Sequence, residues 1–124
     1  MAKKILLIDD EELIIKSLRK LLEKNGFTVF VAKNGQDALV MTEDESFDLI
    51  IADIRMPGIN GVETIRAIYK NLENNNQKNI PTIFVTGYAN EEIKQKAKAL
   101  KPIAYIYKPF DIQELVDKVK GALR

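Results

Sequence analysis

The chain has 124 residues and a net charge of +1, from 19 Lys and Arg against 18 Asp and Glu, and it contains no His, Cys or Trp. That length is one domain, expected to run over residues 1–124 with no second, output domain, and large enough to bury roughly two thirds of its unfolded surface without a disulfide or zinc staple. The absent imidazole and thiol exclude Ser-His-Asp triads, His- or Cys-ligated zinc and thiol redox chemistry, so any reaction must run on carboxylates, hydroxyls, amines and backbone.

Short apolar runs alternate with amphipathic stretches. Residues 5–8 read as a buried strand, and residues 11–24 as a helix with Ile14, Leu18, Leu21 and Leu22 on one face and Leu13 and Ile15 flanking it. Gly26 ends that helix. A second strand covers 27–31, and Asn34 caps a helix carrying Ala38, Leu39 and Met41. Residues 49–52, ending at Asp53, are apolar at every position, the pattern of a strand covered on both faces. Met56-Pro57-Gly58 and Asn60-Gly61 mark a turn-rich loop, followed by a helix from about 62 to 71 and a polar loop, Asn74-Asn75-Asn76-Gln77. A fourth strand covers 82–86. Asn90 caps a helix with Ile93, Ala97 and Leu100, and a fifth strand covers 103–107. Asp111 with Glu114 matches a capping box, opening a last helix with Leu115, Val116, Val119 and Leu123.

Five βα units in succession predict an α/β fold, a doubly wound parallel sheet of flavodoxin-like type in the order 2-1-3-4-5. In such sheets the site lies beyond the carboxyl ends of the strands. Strand 1 ends in Asp9-Asp10, strand 3 in Asp53, strand 4 in Thr86 and strand 5 in Lys108-Pro109. Three carboxylates, a hydroxyl and an ammonium therefore converge. Crowded carboxylates repel one another and raise a pKa unless a cation joins them, and an all-oxygen set suits Mg²⁺ or Mn²⁺. With Lys108 as an anion anchor, the group suits a phosphoryl moiety, with Asp53 as nucleophile.

These residues resemble the receiver domain of two-component response regulators. The resemblance spans the chain and rests on Ile8-Asp9-Asp10-Glu11, on Asp53 with Met56-Pro57-Gly58 and Asn60-Gly61, on Thr86-Gly87, and on Tyr105 with Lys108-Pro109-Phe110. It implies that Asp53 accepts a phosphoryl group from a partner phosphohistidine, on a sensor histidine kinase or a histidine phosphotransfer protein. It implies that Asp10 and Asp53 ligate Mg²⁺, with Asp9 acting mostly through water and the backbone carbonyl of Arg55 completing the protein ligands. Lys108 contacts the phosphoryl oxygens, Thr86 and Tyr105 form the switch, and the Lys108-Pro109 bond is cis. Arg55 and Tyr88, both bulky, stand where the family tunes access of hydrolytic water, which implies slow autodephosphorylation.

The chain departs from the family pattern at Lys101-Pro102, where Gly-Ala is usual, and at Gly87, where Ala is commoner. Lys94, Lys96, Lys98 and Lys101 read first as a solvated face. Their functional alternative is an acidic downstream partner on the helix 4–strand 5–helix 5 surface. One of Leu13 and Ile15 is expected to help dock the phosphodonor, against the alternative of packing under a loop. Near-neutral charge predicts no direct nucleic-acid contact. No apolar run approaches the ~18 residues of a membrane span, so a cytoplasmic protein, monomeric or weakly dimeric, is expected. Two further readings remain: a receiver piece of a larger hybrid kinase or DNA-binding regulator, and a Mg²⁺-dependent aspartyl-phosphate phosphatase, which wants its first acids spaced Asp-x-Asp rather than adjacent.

Overall fold

The computed structural model describes residues 2–87 and 90–123. Its elements alternate strictly: β1 (Lys4–Ile8), α1 (Glu12–Lys24), β2 (Thr28–Ala32), α2 (Gly35–Asp44), β3 (Leu49–Asp53), α3 (Gly61–Asn74), β4 (Thr82–Thr86), α4 (Glu91–Ala99), β5 (Ala104–Tyr107) and α5 (Ile112–Ala122). The five strands are parallel in the order β2-β1-β3-β4-β5.

Alternation along each strand divides the core. Leu6, Ile8, Ile50, Ala52 and Phe84 face α2, α3 and α4, through Ala38, Ile65, Ile68 and Ala97. Ile5, Leu7, Leu49, Ile51, Ile83 and Val85 face α1 and α5, through Leu18, Leu22, Leu115, Val116 and Val119. The central strands β3 and β4 are buried at every residue, as a doubly covered parallel sheet requires.

The helix signals hold where capping is local. Asn34 accepts from the Asp37 N–H at 2.8 Å and Asn90 from the Ile93 N–H at 3.0 Å. Gly26 takes φ 91° just past α1, a left-handed turn that suits glycine.

Three expectations are corrected. Ile15, read as a flank of helix 1, is a core residue, while Ile14 is only half-buried and Leu13 stands in solvent. The capping box closes at Asn60 and Glu63 instead of Asp111 and Glu114, because the Asp111 carboxylate is taken by the Gln113 N–H, one residue too early for a reciprocal pair. The asparagine run is partly helical: α3 continues to Asn74, Asn75 caps it by donating its side-chain amide to the Asn71 carbonyl at 2.8 Å, and Asn76 turns the chain at φ 55°.

Candidate functional site: an acidic mouth at the carboxyl end of the sheet

β1, β3, β4 and β5 deliver their last residues to one mouth. The chain leaves β1 through Asp9, whose N–H still donates to the Ala32 carbonyl at 3.1 Å, so its main chain is held by the sheet itself. Asp9 is fully buried, Asp53 is 3% exposed and Asp10 faces solvent. One carboxylate oxygen from each lies within 4.8 Å of the others. The cluster thus has two acids in its floor and one at its rim.

Lys108 arrives from the opposite edge of the sheet. Its N–H donates to the Thr86 carbonyl at 2.8 Å, extending the β4–β5 ladder by one rung, and the following Lys108-Pro109 bond is cis. The ammonium donates to Glu11 at 2.8 Å, to Asp53 at 3.2 Å and to Asp9 at 3.4 Å. Thr86, fully buried, ends β4 one residue beyond the Val85 that pairs with Asp53. The strand-end groups expected together are therefore brought together.

A glycine sets how closely α3 approaches the acceptor strand. A Cβ on Gly61 would stand 2.1 Å from the Asp53 carbonyl oxygen and 2.9 Å from the Ile54 Cα, both rigid backbone. The Gly61 N–H donates to the Ile54 carbonyl at 2.7 Å, which pins the helix N-terminus against the turn after Asp53. Gly87 is looser. Among the described residues a methyl there would meet only the Lys108 Cβ, at 3.8 Å, an ordinary contact that leaves room for either Gly or Ala.

The electrostatics record a shortage of positive charge. Burial, then the neighbouring Asp9 charge, push the Asp53 carboxyl up from 3.8 to about 6, against the opposing pull of Lys108 and of the Arg55 N–H bond. Burial likewise raises Asp9, although the Glu11 N–H donates to it at 2.9 Å. For Lys108, burial alone would favour the neutral amine, but the Glu11 bond and the charges of Asp9 and Asp53 outweigh it and raise the pKa. One ammonium cannot neutralise these carboxylates. The all-oxygen donor set, open on the Asp10 side, fits a small hard divalent cation.

Tyr105 lies outside this cluster. It stands half-buried on the edge strand β5, its ring 6.4 Å from that of Phe84 and 5.4 Å from that of Tyr107. The Lys94 ammonium of α4 sits 6.0 Å from the Tyr105 ring centre and 5.5 Å from that of Tyr107. Lys94 is thus tied to the aromatic pair, a contact that neither the solvated face nor the acidic-partner surface expected from the sequence included. Arg55 is exposed; Tyr88, its expected companion in shielding the acceptor, lies outside the described residues.

Beside the mouth, an apolar groove of about 220 Å³ runs between α1 and the segment after β5, its walls formed by Leu13, Ile14, Leu18, Pro109, Phe110 and Ile112, with Lys108 at one end. Leu13, 80% exposed, is its outer lip.

The chain matches the family model for the response regulator receiver domain over residues 5–120. It belongs to that family. It is 35% identical over 123 residues, 99% of this chain and 95% of the relative, to the sporulation initiation phosphotransferase F of Bacillus subtilis. It is 33% identical to the transcriptional regulatory protein CrdR of Helicobacter pylori, covering 97% of this chain but 54% of that longer protein. Among solved structures it superposes on a CheY-like response regulator receiver domain protein from Methanospirillum hungatei with a TM-score of 0.89 at 32% identity, covering 99% of this chain and 94% of that one. On the Vibrio cholerae chemotaxis protein CheY4 the TM-score is 0.85 at 28% identity, covering 98% and 99%. The receiver fold in the order 2-1-3-4-5 is shared with these structures. Receivers are typically signalling domains that work with histidine kinases or phosphotransfer proteins and generally bind Mg²⁺ at an acidic pocket; in this chain Asp9, Asp10 and Asp53 form an acidic cluster. No helix among the described residues is long and apolar enough to cross a membrane.

Proposed function

We propose that this chain is a phosphoacceptor switch in a two-component relay, with Asp53 as the acceptor. The observation that carries the reading is Asp53 itself: a nearly buried carboxylate at a strand end, bonded to one ammonium and crowded by a second buried acid. An Asp53 oxygen attacks the phosphorus of a partner's phosphohistidine. The P–N bond breaks, its electron pair returns to the ring nitrogen, and the imidazole takes up a proton from solvent. No base on this chain is required, which agrees with a sequence that lacks histidine. Lys108 turns an N–H toward the transferred oxygens, and Thr86 supplies the neutral donor of the switch. Asp9, Asp10, Asp53 and the Arg55 carbonyl would hold Mg²⁺, or Mn²⁺, which supplies charge neutralisation for the phosphoryl oxygens.

The phosphodonor docks over the apolar groove beside Lys108, with Leu13 as its contact. Ile15 is withdrawn from that role because it belongs to the core. Tyr105 relays the change to an acidic protein at the α4–β5–α5 face, where Lys94, Tyr105 and Tyr107 already stand together. Residues 1–124 act as one receiver unit located in the cytoplasm.

Incubation with acetyl phosphate and Mg²⁺, followed by intact mass, tests the reading. A phosphate-sized gain is expected, absent in Asp53→Asn and without metal. Unchanged mass in the wild-type chain, or turnover of p-nitrophenyl phosphate at a steady rate, sinks it; the latter outcome favours a phosphatase.

A further inference from the structure

Glu11 follows the two acids of the mouth without belonging to the acceptor or the cation set. It stands at the N-cap of α1, yet its side chain makes no capping bond. Its carboxylate instead takes the shortest of the three bonds from the Lys108 ammonium, 2.8 Å against 3.2 Å for Asp53 and 3.4 Å for Asp9. An ammonium has three N–H donors, and these three carboxylates account for all of them. A phosphoryl oxygen arriving at Asp53 therefore finds no donor on Lys108 unless one bond is given up. Asp9 and Asp53 are buried, and stripping either of its cation leaves a desolvated charge. The Glu11 side chain is 55% exposed and is rehydrated as soon as it is released.

We propose that Glu11 is a positioning residue that restrains Lys108 in the resting chain, so that the ammonium reaches a phosphoryl group only by leaving Glu11. The inference rests on the reading of Asp53 as phosphoacceptor. The carboxylate acts twice in the same direction. It stabilises the arrangement that must be left, and its charge faces a donor that is itself anionic. Glu11 thus slows phosphorylation by small donors such as acetyl phosphate. Glu12 provides a comparison within the same turn, because it carries the same charge one residue on and pairs with Lys33 of the β2–α2 connection instead.

The test compares wild type, Glu11→Gln and Glu12→Gln at saturating Mg²⁺ with acetyl phosphate, where the P–O bond breaks, acetate leaves and the phosphoryl group stays on the Asp53 carboxylate. The Glu11→Gln chain is expected to gain mass about three- to fivefold faster than wild type. That ratio is expected to survive at about 0.5 M salt, because a direct contact is screened far less than a distant field. Glu12→Gln is expected to match wild type at high salt. A Glu11→Gln rate no faster than wild type at high salt, or a Glu12→Gln chain as fast as Glu11→Gln there, overturns the inference and leaves the phosphoacceptor reading standing. A wild-type chain that takes no phosphoryl group sinks both. In the metal-free chain, thermal melts of Glu11→Gln, Lys108→Met and the double variant read the pair without any phosphorylation. Measurable coupling supports the restraint, and additive effects overturn it.

Discussion

The two ends of the sheet treat polar groups in opposite ways. At the amino end each is locally satisfied. The Tyr69 hydroxyl lies 2.7 Å from the Ile80 carbonyl and 2.8 Å from the Thr82 hydroxyl, and the Lys4 N–H donates to Asp48 at 2.8 Å while its ammonium meets Glu45 at 2.9 Å. At the carboxyl end, Asp9, Glu11 and Asp53 share one ammonium, and Asp53 is held near a pKa of 6. The same strands and the same core support both. The difference is that the amino end pairs its polar groups separately, whereas the carboxyl end gathers three carboxylates on one ammonium, so the cost of that end is a readable property of the resting protein.

The largest expected effect exposes that cost. The folded chain holds the Asp53 proton more tightly than the unfolded chain, since the carboxyl rises from 3.8 to about 6. Between those values the native state binds more protons than the unfolded state, so this group's contribution to stability falls as pH rises through the window and is flat above it. Asp53→Asn is therefore expected to stabilise the metal-free protein by on the order of 2 kcal/mol at pH 7.5 and by nothing measurable near pH 3. Paired urea titrations at the two pH values check this. Millimolar Mg²⁺ should raise the melting temperature of wild type and close its deficit. A deficit that is the same at both pH values would mean that Asp53 ionisation is not what the mouth resists.

What was legible in the sequence follows the same division. Asp9, Asp10, Asp53, Thr86 and Lys108 could be found because each ends a strand, and strand ends are marked by local composition. The reach of Glu11 to Lys108 could not, since the two are 97 residues apart and only the sheet order brings them together. Helix 1 shows a subtler limit. Ile14, Leu18 and Leu21 form one valid helical stripe, and Ile15, Leu18 and Leu22 form another about one residue around. The burial of the second stripe is decided by where α5 and the sheet sit, not by periodicity. Likewise Asn60/Glu63 and Asp111/Glu114 both have box spacing. Only the backbone shows that Asp111 bonds one residue early.

A smaller effect tests whether the ends are independent. Tyr69→Phe removes a hydroxyl that bonds the Ile80 carbonyl and the Thr82 hydroxyl, but Thr82 still donates to Ile80 at 3.1 Å, so nothing is left stranded. A loss of about 1 kcal/mol is expected in urea unfolding, with the acetyl phosphate rate unchanged. A changed rate would couple the amino end to the mouth and break the comparison.

The smallest effect asks whether the amino end is as finished as its hydrogen bonds suggest. Two non-glycine residues just past helix ends take φ 55°: Asn76 after α3 and Lys101 after α4. Asparagine tolerates the left-handed region, whereas lysine places its Cβ against the backbone at a cost of about 1–2 kcal/mol. The glycine that the family resemblance led one to expect at Lys101 would take this left-handed backbone without that cost. Lys101 is exposed, and its N–H closes the turn by donating to the Lys98 carbonyl at 2.9 Å, a bond any residue but proline can make. Lys101→Gly therefore relieves the strain and loses no contact, while the extra freedom of glycine in the unfolded chain takes back roughly half of the gain. A net stabilisation of about 0.5 kcal/mol is expected. Lys101→Ala, which removes the charge and keeps the Cβ, is expected to give none, and Asn76→Gly no more than a few tenths. Equal gains from Lys101→Ala and Lys101→Gly would place the cost in the lysine charge beside Lys98 and clear the backbone of it.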